Sequence, residues 1–275
     1  MASQNSIENQ LKEITHHLKI VYSGENSKES DKWLQHFQRS TDAWQVSNAL
    51  LLIPDAPLEV SFFGAMTIHY KIRLDFHELP EGSIQSLKSS LFSHIAKCTQ
   101  SKENKLAVIT RLCLALASLA VQTRWNDVFQ DLSGNIMRGT TPEYQAKSAL
   151  IVLEFVKVLP EECFNKNLVV PSDRREDFIR ALDHSIPYIF QFVGELASGP
   201  LGNDVAVQET IFRSLISWIR YTDIKSSDLA KFPIFRAAFN AVKSPDLFEV
   251  AIDFLVEILR TYRNPEKSMD VVQVM

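Results

Sequence analysis

Residues 104–122, NKLAVITRLCLALASLAVQ, constrain this chain more than any other stretch, because almost all of them are apolar or small. Four of the polar members, Asn104, Arg111, Ser118 and Gln122, recur at intervals of seven, seven and four, which a helix of 3.6 residues per turn gathers into one narrow stripe. The rest of the circumference must be covered. A helix apolar nearly all round either crosses a membrane or lies between other helices, and the uncharged part of this run, from Leu112 on, is too short for a bilayer. The pattern therefore predicts a helix clamped between neighbours, and similar segments on both sides make those neighbours helices too.

Taken in order, Ile7, Leu11, Ile14, Leu18 and Val21 predict an amphipathic helix over 7–22, with Asn5 or Ser6 as cap and Gly24 as stop. Trp33, Leu34 and Phe37 belong to a short segment, and Trp44 with 50–53 to a second, meeting at 40–42 where Ser40 and Thr41 can cap. Residues 58–75 and 83–97 form a pair, the second of them markedly one-sided. The helix at 104–122 pairs with 125–137. Next come 143–159, ended by Pro160, and 174–198, capped by Asp173 with Glu176 completing a capping box and kinked at Pro187. Residues 205–221 pair with 226–241, where Pro233 suits a helix start, and 246–262 begins another pair. FFGAMTIHYKI and NLVV carry β-branched and aromatic residues but no sustained alternation, so the fold class is all-α. Pairs spaced by roughly 40 to 50 residues match HEAT-type solenoid units. We expect one arch over 1–262, about five pairs plus the first helix of a sixth, with a flexible or truncated end at 263–275.

Composition narrows the function. With 29 Lys plus Arg against 33 Asp plus Glu and no long basic cluster, the chain lacks the footprint of a nucleic-acid binder. Cys98, Cys113 and Cys163 are few, scattered and odd in number, which fits small buried hydrophobes in a reducing compartment. The start, MASQNSIENQLKEITHHL, has neither a secretory pattern nor a mitochondrial one, so a cytosolic or nuclear setting is expected, without membrane insertion.

Motifs for chemistry are missing. His16 and His17 are adjacent and point about 100° apart on a helix, so they do not share a metal. There is no HExxH, paired CxxC, GxGxxG, GxxxxGK[ST] or GxSxG. LASGPLGND reads as an interhelix loop, and Glu161 with Glu162 as a solvated turn after Pro160. No metal, cofactor or catalytic residue is assigned, and the chain reads as a binding scaffold. A helical enzyme whose active groups converge from distant repeats stays open as the rival reading. Trp33, Phe37, Trp44, Leu112, Leu116 and Trp218 are expected in the packing. Binding positions are sought on the second helix of each pair, which solenoid curvature places along a concave wall; Lys88, Ser89, His94, Asp127 and Asp131 are the candidates.

WLQHFQRSTDAWQVSNALL from Trp33, FFGAMTIHYKI from Phe62 and ITRLCLALASLAVQ from Ile109 resemble the amino-terminal part of an importin-beta superfamily receptor, in the branch containing importin-13 and transportin-SR. VLEFVKVLPEE at 152–162 and SPDLFEVAIDFLVEI at 244–258 extend the resemblance along nearly the whole chain. The family implies a right-handed HEAT-repeat solenoid that binds the GTP-bound form of the small GTPase Ran, engages nucleoporins and carries protein cargo, shuttling between cytoplasm and nucleus. For the transportin-SR branch the implied cargo is serine/arginine-rich splicing proteins; for importin-13 it is other proteins, carried in both directions. The Ran surface carries over to the second helices at 83–97 and 125–137, and the nucleotide belongs to the partner.

Overall fold

The computed structural model describes residues 2–24, 27–101, 105–138 and 140–263, and among these every regular element is helical. The chain divides into two compact units, Met1–Thr123 with Lys166–Val170, and Arg124–Asn165 with Pro171–Met275. The tail expected at 263–275 falls, from 264 onward, outside the described residues, as does Asn104.

The first unit holds α1 (Ala2–Ser23), α2 (Ser27–Gln38), α3 (Ala43–Leu52), α4 (Leu58–Leu74), α5 (Ile84–Gln100) and α6 (Leu106–Thr123). Helix α1 packs on α2, α3 on α4, and α4 and α5 on α6. Ile14 and Leu18 of α1 are buried against Leu34 and Phe37 of α2 and Val46 and Leu50 of α3, the positions that helical spacing selects. Helix α1 already includes Asn5 and Ser6, so it starts before both. Helix α2 starts at Ser27, inside a stretch whose polar composition reads as a loop, because Ser30, Leu34 and Phe37 all turn inward. His17, Trp33, Phe37 and Phe63 form a ladder with ring centroids 4.3, 6.0 and 6.2 Å apart in succession, joining α1, α2 and α4. At Gly64 a Cβ would stand 3.1 Å from the Ser47 carbonyl oxygen, so the close approach of α3 and α4 depends on this glycine.

Helix α6 has the length and apolarity of a minimal membrane span, so length does not exclude a bilayer. What distinguishes it is that its side chains are covered by protein, with Leu112, Cys113 and Leu116 fully buried. Its polar stripe does not reach solvent as a whole. Ser118 and Gln122 are buried, and Gln122 Nε2 donates to the Val169 carbonyl at 2.7 Å and the Ile72 carbonyl at 3.3 Å. Through that amide, and through Val169 N–H donating to Arg73 at 2.9 Å, residues 166–170 are bound into this unit. Arg111, half-buried, places its guanidinium 5.6 Å from the centroid of the Phe62 ring. Leu116→Ala should cost about 2–5 kcal/mol, since a fully enclosed site collapses poorly. An unchanged urea midpoint would remove α6 from its central role.

The second unit holds α7 (Val128–Arg138), α8 (Gln145–Cys163), α9 (Ser172–Ser198), α10 (Val205–Tyr221), α11 (Ser226–Lys231), α12 (Pro233–Ala241) and α13 (Phe248–Thr261). Helices α8, α10 and α13 pack side by side; α7 and α9 lie on α8, and α12 lies on α13 and α9. This is the stacked-pair pattern of a helical solenoid. Residues 226–241 form two helices, since Pro233 opens α12 at its first turn, where its missing N–H leaves no hydrogen bond unmade. Arg220 reaches from α10 to the buried Glu257 of α13 at 2.7 Å.

Pro160, expected to end its helix, corrects the sequence reading. Helix α9 runs unbroken through Pro187 and α8 through Pro160 as far as Cys163. A proline deprives the carbonyl four residues earlier of its donor. For Pro160 that carbonyl is Val156, and Trp218 Nε1 of α10 donates to it at 2.8 Å. Ser217 and Ser214 bind the neighbouring carbonyls of Lys157 and Leu153 at 2.7 and 3.0 Å. Glu161 and Glu162 therefore lie on a helix, half-buried and buried respectively. Burial raises the Glu161 pKa.

Candidate protein-binding surface

On α5 of the first unit, Ser89 is exposed and Lys88 half-buried; the Ser89 hydroxyl donates back to the Gln85 carbonyl at 3.0 Å. His94 departs from expectation. It is buried, with Nε2 2.8 Å from Asn48 Oδ1 of α3 and 3.2 Å from Ser90 Oγ. Burial, reinforced by the nearby charge of Lys97, pulls its pKa down to about 4, so the ring is neutral at pH 7 and unavailable to a partner. The sequence contains the signal: His94 stands three residues after Leu91 and four before Cys98, both buried, and so shares their face.

The acidic pair lies at the start of α7 in the second unit. Asp127 and Asp131 are exposed, and the Asp131 N–H donates to the Asp127 carbonyl at 2.9 Å. The Asp131 carboxylate accepts from Trp125 Nε1 at 2.7 Å, which ties it to the turn before α7. Asp127 keeps its carboxylate free of any side-chain partner among the described residues.

Beside Asp127 a groove of about 400 Å³ runs between α7 and α9, lined by Gln130 on one wall and by Asp177, Arg180, His184 and Tyr188 on the other. Its far wall is fixed by ion pairs. Arg124, in the left-handed backbone region at φ 52°, reaches Asp173 at 2.7 Å and Asp177 at 3.2 Å, and Arg180 also pairs with Asp177. Asp173 thus binds Arg124 within the first turn of α9, and Pro171 occupies the cap position. No local motif announces this groove, because its walls are about 50 residues apart in the chain. Among the described residues no three His, Cys, Asp or Glu side chains are grouped to hold a metal.

Against known proteins, residues 105–255, more than half of the chain and spanning α6 to most of α13, match the exportin 1-like protein family. The chain belongs to that family. It is 28% identical to Transportin MOS14 of Arabidopsis thaliana over 274 residues, covering 98% of this chain and 27% of that protein. Importin-13 of Homo sapiens is 28% identical over 257 residues, 92% of this chain and 26% of the relative. The mRNA transport regulator MTR10 of Saccharomyces cerevisiae is 27% identical over 275 residues, 93% and 26% respectively. This chain thus spans about a quarter of the length of the relatives it matches. Membership in the exportin 1-like family agrees with the resemblance to importin-13 and transportin in the sequence. Within that family this chain presents Lys88, Ser89, Asp127 and Asp131 on its described helical surfaces, with His94 withdrawn into the packing.

Proposed function

We propose that this chain recognises the GTP-bound form of Ran, as the amino-terminal arch of a karyopherin that carries protein cargo between cytoplasm and nucleus. The observation that carries the reading is the match along 98% of the chain to a transportin, with an importin and a transport regulator matching over similar spans. Exposed polar positions support it by offering contacts that leave the packing undisturbed: Ser89 of α5, beside the half-buried Lys88, in one unit and Asp127, just before α7, in the other. The nucleotide stays with the GTPase, and the chain acts as a binding protein, not as an enzyme. Cargo is protein, of the serine/arginine-rich or importin-13 type, and nucleoporins are further partners. The protein shuttles between the two compartments.

A pulldown of the full chain with Ran loaded with a non-hydrolysable GTP analogue or with GDP tests the proposal. Retention is expected on the GTP-analogue form. Equal or absent retention by chain that unfolds cooperatively would reject state-specific recognition. Asp127→Lys should weaken capture several-fold, beyond the small loss of stability expected from a cation at the start of α7. Asp131→Lys also breaks the bond to Trp125, so it tests packing and surface together and is the poorer probe.

A further inference from the structure

We propose that the α7–α9 groove is a subsite for an arginine side chain presented by a protein partner. Three of its groups have no partner within the described part of the chain. The Asp127 carboxylate is exposed, Gln130 Oε1 is buried without a hydrogen bond, and Tyr188 is 55% exposed although it is a large aromatic. The cations already present are engaged on the α9 wall, where Arg124 and Arg180 both bind Asp177. His184 directs Nδ1 to the Arg180 carbonyl at 2.6 Å. The groove therefore offers a free anionic acceptor and an open ring face, with a second unmatched acceptor, Gln130 Oε1, buried in its wall.

A guanidinium fits that inventory. It is planar and permanently charged, carries five N–H donors and stacks on aromatic faces. One edge can bond the Asp127 carboxylate while the plane lies against Tyr188, and a turn of the Gln130 side chain would bring its amide oxygen to the same edge. A lysine ammonium supplies the charge but no plane to stack, and an anion would meet Asp127 unshielded. The orphaned Gln130 oxygen strengthens the case, since a buried acceptor without a donor is costly and an entering donor relieves it.

This groove shares Asp127 with the surface proposed for Ran, so its test uses a probe without the GTPase. The full chain is titrated with Nα-acetyl-arginine-amide, with the lysine and citrulline analogues as comparators, and followed by NMR. Saturable binding is expected for the arginine compound, stronger than for lysine and much stronger than for uncharged citrulline. Asp127→Asn should weaken it about three- to fivefold, the scale of an exposed ion pair, and Tyr188→Leu by a similar factor. Asparagine begins helices as well as aspartate does, so the first variant keeps the start of α7. Absence of saturable binding, equal binding of arginine and citrulline or of arginine and lysine, or unchanged affinity in both variants would overturn the assignment. Ran capture that survives Asp127→Asn alongside lost arginine binding would separate the two proposals.

Discussion

Trp218→Phe should destabilise the second unit by about 1–3 kcal/mol, and Pro160→Ala should recover much of that loss. The reasoning starts from the backbone of α8. Pro160 has no N–H, so the Val156 carbonyl lacks its intrahelical donor, and Trp218 Nε1 supplies one at 2.8 Å. Phenylalanine keeps most of the buried ring volume but leaves that carbonyl unpaired in a site where Trp218 is fully enclosed. An orphaned buried acceptor costs about 1–3 kcal/mol. In the double variant the Pro160→Ala substitution restores the backbone N–H, and Val156 regains a helical partner. Trp218→Ala adds the lost packing of a fully buried indole and should cost about 3–5 kcal/mol. Urea unfolding of wild type, Trp218→Phe, Pro160→Ala and the double variant forms a double-mutant cycle. Strict additivity of the two substitutions would show that the tryptophan contributes through packing alone.

The second large effect is expected in the first unit. Lys71 is completely enclosed, with Nζ 2.8 Å from Asp75 Oδ2 and 2.6 Å from Glu78 Oε2, and 5.8 Å from the Trp44 ring centroid. Trp44 Nε1 donates to the same glutamate at 3.2 Å, so one charge cluster fastens the end of α4 to α3. Replacing both carboxylates, Asp75→Ala with Glu78→Ala, strands a buried ammonium and should cost about 3–5 kcal/mol. Lys71→Met should be much milder, because each carboxylate it leaves behind is about a quarter exposed and can rehydrate. The hydrogen bond from Lys71 is the main cause of the lowered Glu78 pKa. A depressed folded-state value means that this contribution is complete above the ordinary glutamate value of 4.5 and fades as pH falls through the lower folded value. Acid unfolding in wild type should therefore include a loss that Glu78→Gln removes. Equal effects of the lysine and double carboxylate replacements at pH 7 would contradict the cluster's polarity.

The helical register was legible because it is written in local spacing. Ile14, Leu18, Leu91, Ile95, Leu112 and Leu116 each repeat at three or four residues, and all are buried. Spacing fails where a second element supplies what local chemistry lacks. Pro160 reads as a terminator until Trp218, 62 residues beyond Val156 in sequence, is placed against it. Gln122 and Ser118 read as a surface stripe until carbonyls from α4 and residues 166–170 arrive to use the amide. His94 differs for another reason: its helical phase with the buried Leu91 and Cys98 outweighs its polarity. Trp33 and Trp44, expected in the packing, are half-buried, one stacked on His17 and the other bonded to Glu78.

The binding surface was less legible than the fold. Asp127 and Asp131 share a helix start in the sequence, but only the structure separates them, one bonded to Trp125 and the other free of a side-chain partner among the described residues. Gln130, Tyr188 and the Arg124 ion pairs enter from positions that no local pattern links.

The sequence alone determined that this chain is helical, where its long apolar helices run and which family it belongs to, since periodicity and ordered motifs are properties of neighbouring residues. Tertiary structure decided which polar groups are satisfied and which are left open, because a hydrogen bond or ion pair across some 40 to 60 residues exists only once the helices have packed. That division explains why Lys71 and Trp218 stand as structural positions and the groove beside Asp127 as the proposed binding one.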